Sequence, residues 1–393
     1  MAREKNQFLE LAQTVMSLPT APFCEDLVSG FVKEFAAGLG ETASLEEDDF
    51  GNLLLTHEGT EAGGHPGPSL IATAHMDHPG LVYEDRLSKR EFVFSIKGGI
   101  PRQFAKKAVP VAIYNTSGSR SQQPIAGKLQ GIVKRADVPA FKLRVSGKSD
   151  AAAVGPGSFA MWDLVPFTAR KRRIRGRACD DLAGVACGLH YLRRLCLADE
   201  PIRAGLLLTR AEEVGFGGMA AVVDGPLLNR SDVYVNIECS NAAVASAEVG
   251  GGPVIRVGDR LSIFDPEVTA GMCHLANRLG ADFRFQRKLM DGGACEASVM
   301  MQAGLRTGAV ALPLENYHNN GKKGLRAERI HLDDALNLVK LLVALASSHG
   351  GIGELMRATS AHLRSDLNRG QQQHADRLRQ TMSAPKLASE ETA

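Results

Sequence analysis

The chain has 393 residues, is 44% hydrophobic and carries 46 Lys and Arg against 44 Asp and Glu, a net charge of +2. That is enough apolar material for a sizeable core and more than one domain, and the near-balanced charge excludes a global field that would recruit nucleic acid or an anionic membrane. Seven cysteines, odd in number and without CxxC spacing, read as reduced thiols of a cytoplasmic protein.

Residues 5–40 read as helices, with Leu27, Phe31, Val32 and Phe35 at helical spacing and Gly38-Leu39-Gly40 closing the run. The first residues lead into this helical stretch without the long apolar segment of a secretion signal, and no run approaches the ~18 uninterrupted apolar residues of a membrane span. A strand and turn follow over 49–55, then a Gly/Pro-rich loop at 63–68 and a buried strand from Ser69 to Ala74 that ends on His75-Met76-Asp77. From Val82 to about Arg175 the texture changes to short alternating segments (92–96, 111–114 and 141–145) separated by Gly, Pro and Ser turns, which predicts a small all-β insertion. The basic run from Arg170 to Arg177 has no interleaved aromatics, so it reads as a solvated strand, a subunit contact or a steering surface for anionic substrate rather than a nucleic-acid site.

After Arg177, helix and strand alternate. Helices are expected over 181–197, 266–279, 294–303 and 332–347, and strands over 205–209, 233–238 and 307–312, which implies an α/β core built on a mixed or parallel sheet. Beyond Ser365 the chain is polar and Gln-rich, and a frayed tail is expected. The chain therefore divides into an α/β domain of 1–81 and 176–364, an inserted β-rich domain of 82–175, and a disordered tail of 365–393.

Apolar segments repeatedly end on a His, Asp or Glu. His75 follows Leu70-Ile71-Ala72-Thr73-Ala74, Glu212-Glu213 follow Ala204-Gly205-Leu206-Leu207-Leu208, Glu238 follows Val233 to Ile237, and His318 follows Ala309 to Pro313, while Asp180-Asp181 opens a helix. Open α/β sheets bind ligands at the carboxyl ends of their strands, so His75, Asp180, Glu213, Glu238 and His318 are expected to converge on one crevice. The set is too rich in carboxylate for a structural Cys-type zinc and too large for one tetrahedral ion. Two divalent ions roughly 3.5 to 4 Å apart, bridged by Asp180 and a water, would use all five. An extended backbone at Glu212-Glu213 would point one carboxylate at the metal and leave its neighbour to move protons. Gly292-Gly293-Ala294-Cys295-Glu296 reads either as a substrate loop feeding a helix N-terminus or as a plain helix start, with Cys295 a buried thiol. His78 stands close enough to touch a substrate. His190 reads as a helix-surface or core histidine, and His57, His65, His349, His362 and His374 sit in polar or loop contexts.

The segments His75-Met76-Asp77, Asp180-Asp181-Leu182-Ala183-Gly184, Glu212-Glu213-Val214-Gly215 and Asn316-Tyr317-His318 resemble the ligand motifs of co-catalytic di-zinc peptidases. The closest resemblance is to the glutamyl and tetrahedral aminopeptidase branch, which agrees with the β-rich insertion falling between His75 and Asp180. The resemblance implies a mixed central sheet flanked by helices with a small all-β domain inserted. It also implies a metal-dependent exopeptidase that cleaves at the free N-terminus of peptides, using two divalent ions, zinc with manganese or cobalt as alternatives. His75 and His318 would each be the terminal imidazole of one ion, with Asp180 bridging, Glu213 on one ion and Glu238 on the other. Asp77 would accept a hydrogen bond from the far nitrogen of His75, Asp181 would tighten the turn, often through a cis peptide, and Glu212 would be the general base acting on the metal-shared water. Homo-oligomerisation is implied through the inserted domain, with a peptide or acylated amino acid as substrate and neither nucleic acid nor membrane as partner. Glu238 departs from the branch, which usually has Asp there, whereas Glu is common in carboxypeptidases and deacylases. A deacylase or carboxypeptidase of the same superfamily is therefore the alternative reading, and a non-catalytic scaffold the remote one.

Overall fold

The computed structural model describes residues 2–59, 67–101, 103–104, 108–116, 123–133, 139–198, 201–348 and 351–382. Helices α1 (Ala2–Ser17) and α2 (Asp26–Gly38) come first; α2 buries Leu27, Val28, Val32 and Ala36, one stripe at helical spacing. Strands β1 (Ser44–Glu47), β2 (Leu53–His57) and β3 (Leu70–His75) follow, and every residue of β2 and β3 is buried. His57 is thus a core residue of β2, where the sequence placed it in a polar or loop context. Of the loop expected at 63–68, only Gly67 and Pro68 are described, and His65 and His349 lie outside the described residues.

Six strands, β4 (Gly80–Arg86), β5 (Glu91–Lys97), β6 (Pro110–Asn115), β7 (Ile125–Val133), β8 (Ala140–Val145) and β9 (Ser158–Trp162), close into an antiparallel barrel in the order β4-β5-β8-β7-β6-β9. Phe92, Phe94, Ile113, Leu129, Phe141, Leu143 and Trp162 fill it. Closure removes the open sheet edges that such a short-stranded unit would otherwise expose.

The hairpin β10 (Phe167–Arg170) and β11 (Arg173–Gly176) leads into α3 (Leu182–Ala198), β12 (Ala204–Thr209), α4 (Gly217–Val223), β13 (Val233–Asn241), β14 (Val254–Gly258) and α5 (Pro266–Ala276). The chain continues through β15 (Gln286–Leu289), α6 (Glu296–Gln302), β16 (Arg306–Leu314), the two-residue strands β17 (Asn320–Gly321) and β18 (Gly324–Leu325), β19 (Glu328–His331), α7 (Leu332–Ala346) and α8 (Gly351–Met382). Eight strands form the main sheet in the order β1-β2-β12-β3-β13-β16-β14-β15. Its centre, β12-β3-β13-β16, is wholly parallel, β2 and β14 flank it antiparallel, and β15 pairs parallel with β14, so the sheet is mixed. Such strands, covered on both faces, read as continuous apolar runs rather than alternating ones.

Where a tail fraying from residue 365 was expected, α8 continues as helix to Met382; residues 383–393 lie outside the described residues. Asp366–Arg369 and Asp376–Arg379 pairs one turn apart support it, and its Gln, Arg, Ala and Leu content favours helix without a core to pack on. Among the described residues no single helix is long and apolar enough to cross a membrane.

Candidate metal centre

Because β12, β3, β13 and β16 are adjacent and parallel, their carboxyl ends lie along one edge of the sheet. His75 is the last residue of β3 and pairs in register with Thr209 at the end of β12, three residues before Glu212. Glu238 lies inside β13, which runs on to Asn241 rather than ending there as expected. His318 follows β16, and Asp180 sits between β11 and α3. Fold and chain order therefore bring all five expected ligands together.

The backbone at the twin glutamates is not extended as predicted. Glu212–Val214 is a 3-10 turn entered through Ala211 in the left-handed region (φ 53°), and the turn, not strand alternation, separates the two carboxylates. Asn316, His318 and Asn319 are also left-handed, a cluster of costly conformations at one site. The Asp180–Asp181 peptide is cis, as the resemblance led us to expect.

The facing atoms fall into two groups that share Asp180. His75 Nε2 lies 3.5 Å from Asp180 Oδ1 and 3.7 Å from Glu238 Oε1, while His318 Nε2 lies 3.6 Å from Asp180 Oδ2 and 3.2 Å from Glu213 Oε1. Within each group the candidate ligand atoms all lie within 4.8 Å of one another. Two donors each ~2.1 Å from one tetrahedral ion stand about 3.4 Å apart, which is the spacing seen between these partners. Asp180 Oδ1, Glu213 Oε1, Glu238 Oε2 and His318 Nε2 are buried without hydrogen-bond partners. Unpaired buried acceptors of this kind are expensive, and a divalent cation satisfies them. The residues fit a metal.

The electrostatics agree. Burial opposes protonation of His75 and His318, but Glu212, Asp180, Asp77 and Glu238 around the first, and Glu213 and Asp180 around the second, outweigh it and hold both imidazoles well above their ordinary pKa. Burial likewise opposes ionisation of Asp180, and the two flanking imidazoles overcome it, keeping the carboxyl below its usual range. Burial pushes Glu238 up to about 7. Glu212 is driven well up by burial, with the Glu238, Glu213 and Asp77 carboxylates adding to it and His75 opposing. It is a field that calls for positive charge.

Around these groups lies a supporting layer. Asp77 accepts the backbone N–H groups of Glu212 (3.0 Å) and Glu213 (3.1 Å), so it fixes the turn carrying both glutamates; its Oδ1 is 3.3 Å from His75 Nδ1, in ion-pair range but not aligned as a hydrogen bond. Glu328, which the sequence reading missed, accepts the N–H groups of Cys179, Asp180 and His318 and so ties two candidate ligands to β19. The barrel contributes Gly99, whose carbonyl lies 3.1 Å from His318 Nδ1; a Cβ there would stand 2.3 Å from that nitrogen, so only glycine fits without displacing the ring. His78 is buried, with Nδ1 on the Asp180 carbonyl and Nε2 against Asn319 Oδ1. His190 is a core histidine beside Phe8. Cys295 is buried and its thiol is pushed up by that burial, as expected of an inert thiol.

The acids open onto a cavity of about 520 Å³ lined by Glu212, Glu213, Glu238, Phe216, Gly292, Gly293, Arg256 and others. Arg256, absent from the sequence reading, reaches Ser240 Oγ at 3.3 Å and lowers the pKa of Glu238.

A family profile described as M42 glutamyl aminopeptidase matches residues 51–341, most of the chain and the whole of this centre. The chain belongs to the M42 family. It is thereby an aminopeptidase, of a family that depends on metal. A relative of this M42 chain from Acetivibrio thermocellus is 24% identical over 330 residues, 81% of this chain and 92% of that one. Among solved structures, the TET aminopeptidase of a marine-sediment Thaumarchaeota archaeon is similar in fold, with a TM-score of 0.72 at 19% identity over 90% of this chain and 99% of that one. The Pyrococcus horikoshii TET1 peptidase, described as assembling into a tetrahedron or a large octahedral shell, is similar with a TM-score of 0.68 at 20% identity, over 87% and 99%.

Proposed function

We propose that this aminopeptidase hydrolyses the first peptide bond at the free N-terminus of peptides at two divalent ions, zinc in the first instance, held by His75, Asp180, Glu213, Glu238 and His318. The observation that carries the reading is the pair of facing groups, His75/Asp180/Glu238 and Asp180/Glu213/His318, in which Asp180 Oδ1, Glu213 Oε1 and Glu238 Oε2 are buried without a hydrogen-bond partner. Asp180 would be shared, one oxygen toward each imidazole. When bound, the ions would supply Lewis acidity, polarising the scissile carbonyl and acidifying water. Glu212, its carboxyl raised by burial and 4.0 Å from His75 Nε2, would take the proton from water and hand it to the leaving amine. Asp77 would act by holding the turn that aims Glu212 and Glu213.

Three glutamates at the cavity floor suit the α-ammonium of a peptide. Arg256 and Glu238 favour the second reading, a deacylase or carboxypeptidase, because a buried guanidinium beside the centre could bind a substrate carboxylate. We assign Arg256 instead to the Glu238 carboxylate, where with His75 it opposes the rise that burial imposes. The division into an α/β catalytic domain of 1–81 and 176–364 and an inserted domain of 82–175 is proposed on the closed barrel of Gly80–Trp162, although β10 and β11 at the end of that span form a sheet with β19 instead; the barrel would serve substrate access, since Gly99 reaches His318. By the assemblies named for TET relatives, we also propose homo-oligomerisation. A cytoplasmic setting is proposed on the seven free thiols. No nucleic-acid or membrane partner is assigned.

Hydrolysis of free-amine peptides beside N-acetylated and C-terminally amidated versions tests this, using metal-stripped and Zn-, Mn- and Co-loaded protein. Cleavage is expected only with a free amine and a metal, and Glu212→Gln should lower turnover by on the order of 10²- to 10⁴-fold while metal binding persists. Turnover of only the N-acylated substrates would move the assignment to the second reading, and full activity in Glu212→Gln would remove the base.

A further inference from the structure

The basic run of 170–177 forms no part of the metal centre. Strands β10, β11 and β19 make a separate three-stranded antiparallel sheet in which Thr168 pairs with Arg175 and Arg175 with Arg329, while Arg170 pairs with Arg173 and Arg173 with His331. Directly paired residues of antiparallel strands point to the same face, so these six side chains share one side. The other side carries the alternate residues, including Ile174, Ile330 and Glu328, all buried, the last holding Asp180 and His318. The outward face walls a cavity of about 850 Å³ lined by Arg170, Lys171, Arg173, Arg175 and Arg329, with Glu315 as its single carboxylate.

Glu315 is taken by Arg329. Among the described residues Arg170, Lys171, Arg173 and Arg175 make no ion pair and no side-chain hydrogen bond, although Arg170 faces Arg173, and Arg175 faces Arg329, across adjacent strands. Like charges directly opposite destabilise a sheet, and strands stand only ~4.8 Å apart, so the fold tolerates a repulsion that a bound anion would relieve. The guanidinium of Arg329 registers it: partial burial and then the Arg173 and Arg175 charges lower its pKa. At the hairpin tip Lys171 (φ 49°) and Arg172 (φ 62°) are both left-handed, where a two-residue turn ordinarily uses Asn-Gly. Cations thus occupy positions that local backbone preference would give to small residues.

We infer that this face is a binding site for a small polyvalent phosphate, a molecule with two or more phosphate groups, seated on Arg170, Arg173 and Arg175 with Lys171 at the rim. Several unpaired cations need more than one negative charge, and guanidinium forks match phosphate oxygens in pairs. A cavity of this size suits a small molecule, and its lining holds no Phe, Tyr or Trp on which nucleic-acid bases could stack.

Isothermal titration of the full-length protein with sodium tripolyphosphate, at low and moderate salt, tests the site against an Arg173→Ser/Arg175→Ser variant. The expected result is one site per chain that weakens with salt and loses at least about tenfold in affinity in the variant, whose unliganded Tm stays equal or rises because repulsion is removed. Lys171→Ala, at the exposed turn and harmless to the sheet, should show a smaller loss and keeps the test decisive if the double variant folds poorly. Equal heats in all three proteins would mean chelation at the metal centre and overturn the site. So would binding of a single-stranded oligonucleotide without tripolyphosphate binding, or a change in sedimentation of the double variant, which would make the face a subunit contact.

Discussion

Glu328 decides how firmly two candidate ligands are held. Its carboxylate receives three backbone N–H groups, from Cys179, Asp180 and His318, in a fully buried position; burial and the Asp180 charge drive its pKa well up, while the Asp180 and Cys179 N–H groups and the His318 charge oppose the rise. Glu328→Ala would leave these donors unpaired, and we expect a loss of about 3 kcal/mol in urea unfolding together with roughly tenfold weaker zinc binding. Unchanged zinc affinity in a destabilised variant would reduce Glu328 to a purely structural residue. The motif residues His75, Glu212, Glu213 and His318 were legible because each follows an apolar run, where a charged side chain has no other reason to be, and Asp180 because the Asp180-Asp181 pair opens an apolar helix. Glu328 was not, since Ala327-Glu328-Arg329-Ile330-His331 looks like an ordinary charged strand. The available signal was its alternation: Glu328 shares a face with Ile330, so a carboxylate pointed inward.

Elements were legible where burial sets their pattern. Strands β3, β12, β13 and β16 and helices α3 and α7 match the apolar runs because a sheet covered on both faces must be apolar throughout. The 3-10 turn at Glu212 was not, because it depends on Asp77 gripping two N–H groups from another loop. Nor was the length of α8, whose last buried residue is Thr359. Among the described residues, ending the chain after Ser365 removes no buried one, and Tm by calorimetry is expected to stay within ~2 °C, as for surface changes generally. A larger fall, or a change of assembly on gel filtration, would show that the exposed Leu367 and Leu378 are covered in solution.

For the molecule as a whole, the charge packed at the sheet edge couples metal to stability. Carboxylates of Asp180, Glu213 and Glu238 face one another with the imidazoles of His75 and His318. An ion that binds only the folded chain adds about 4 kcal/mol at a thousand times its Kd, so chelation of both is expected to lower Tm by on the order of 10 °C, restored by zinc. A Tm indifferent to chelation would count against the metal reading.

The sequence by itself determined the α/β class, a β-rich unit between His75 and Asp180 and the candidate ligand set proposed here, because strand-end acids and imidazoles advertise themselves against apolar runs. Only the tertiary structure decided how these residues meet. The parallel order β12-β3-β13-β16, the closure of the barrel that delivers Gly99 to His318, the grip of Asp77 and Glu328, and the stacking of Arg170, Arg173 and Arg175 on one face all depend on pairings between distant segments. Local periodicity fixes which way a side chain points relative to its own strand, whereas long-range pairing fixes what it meets.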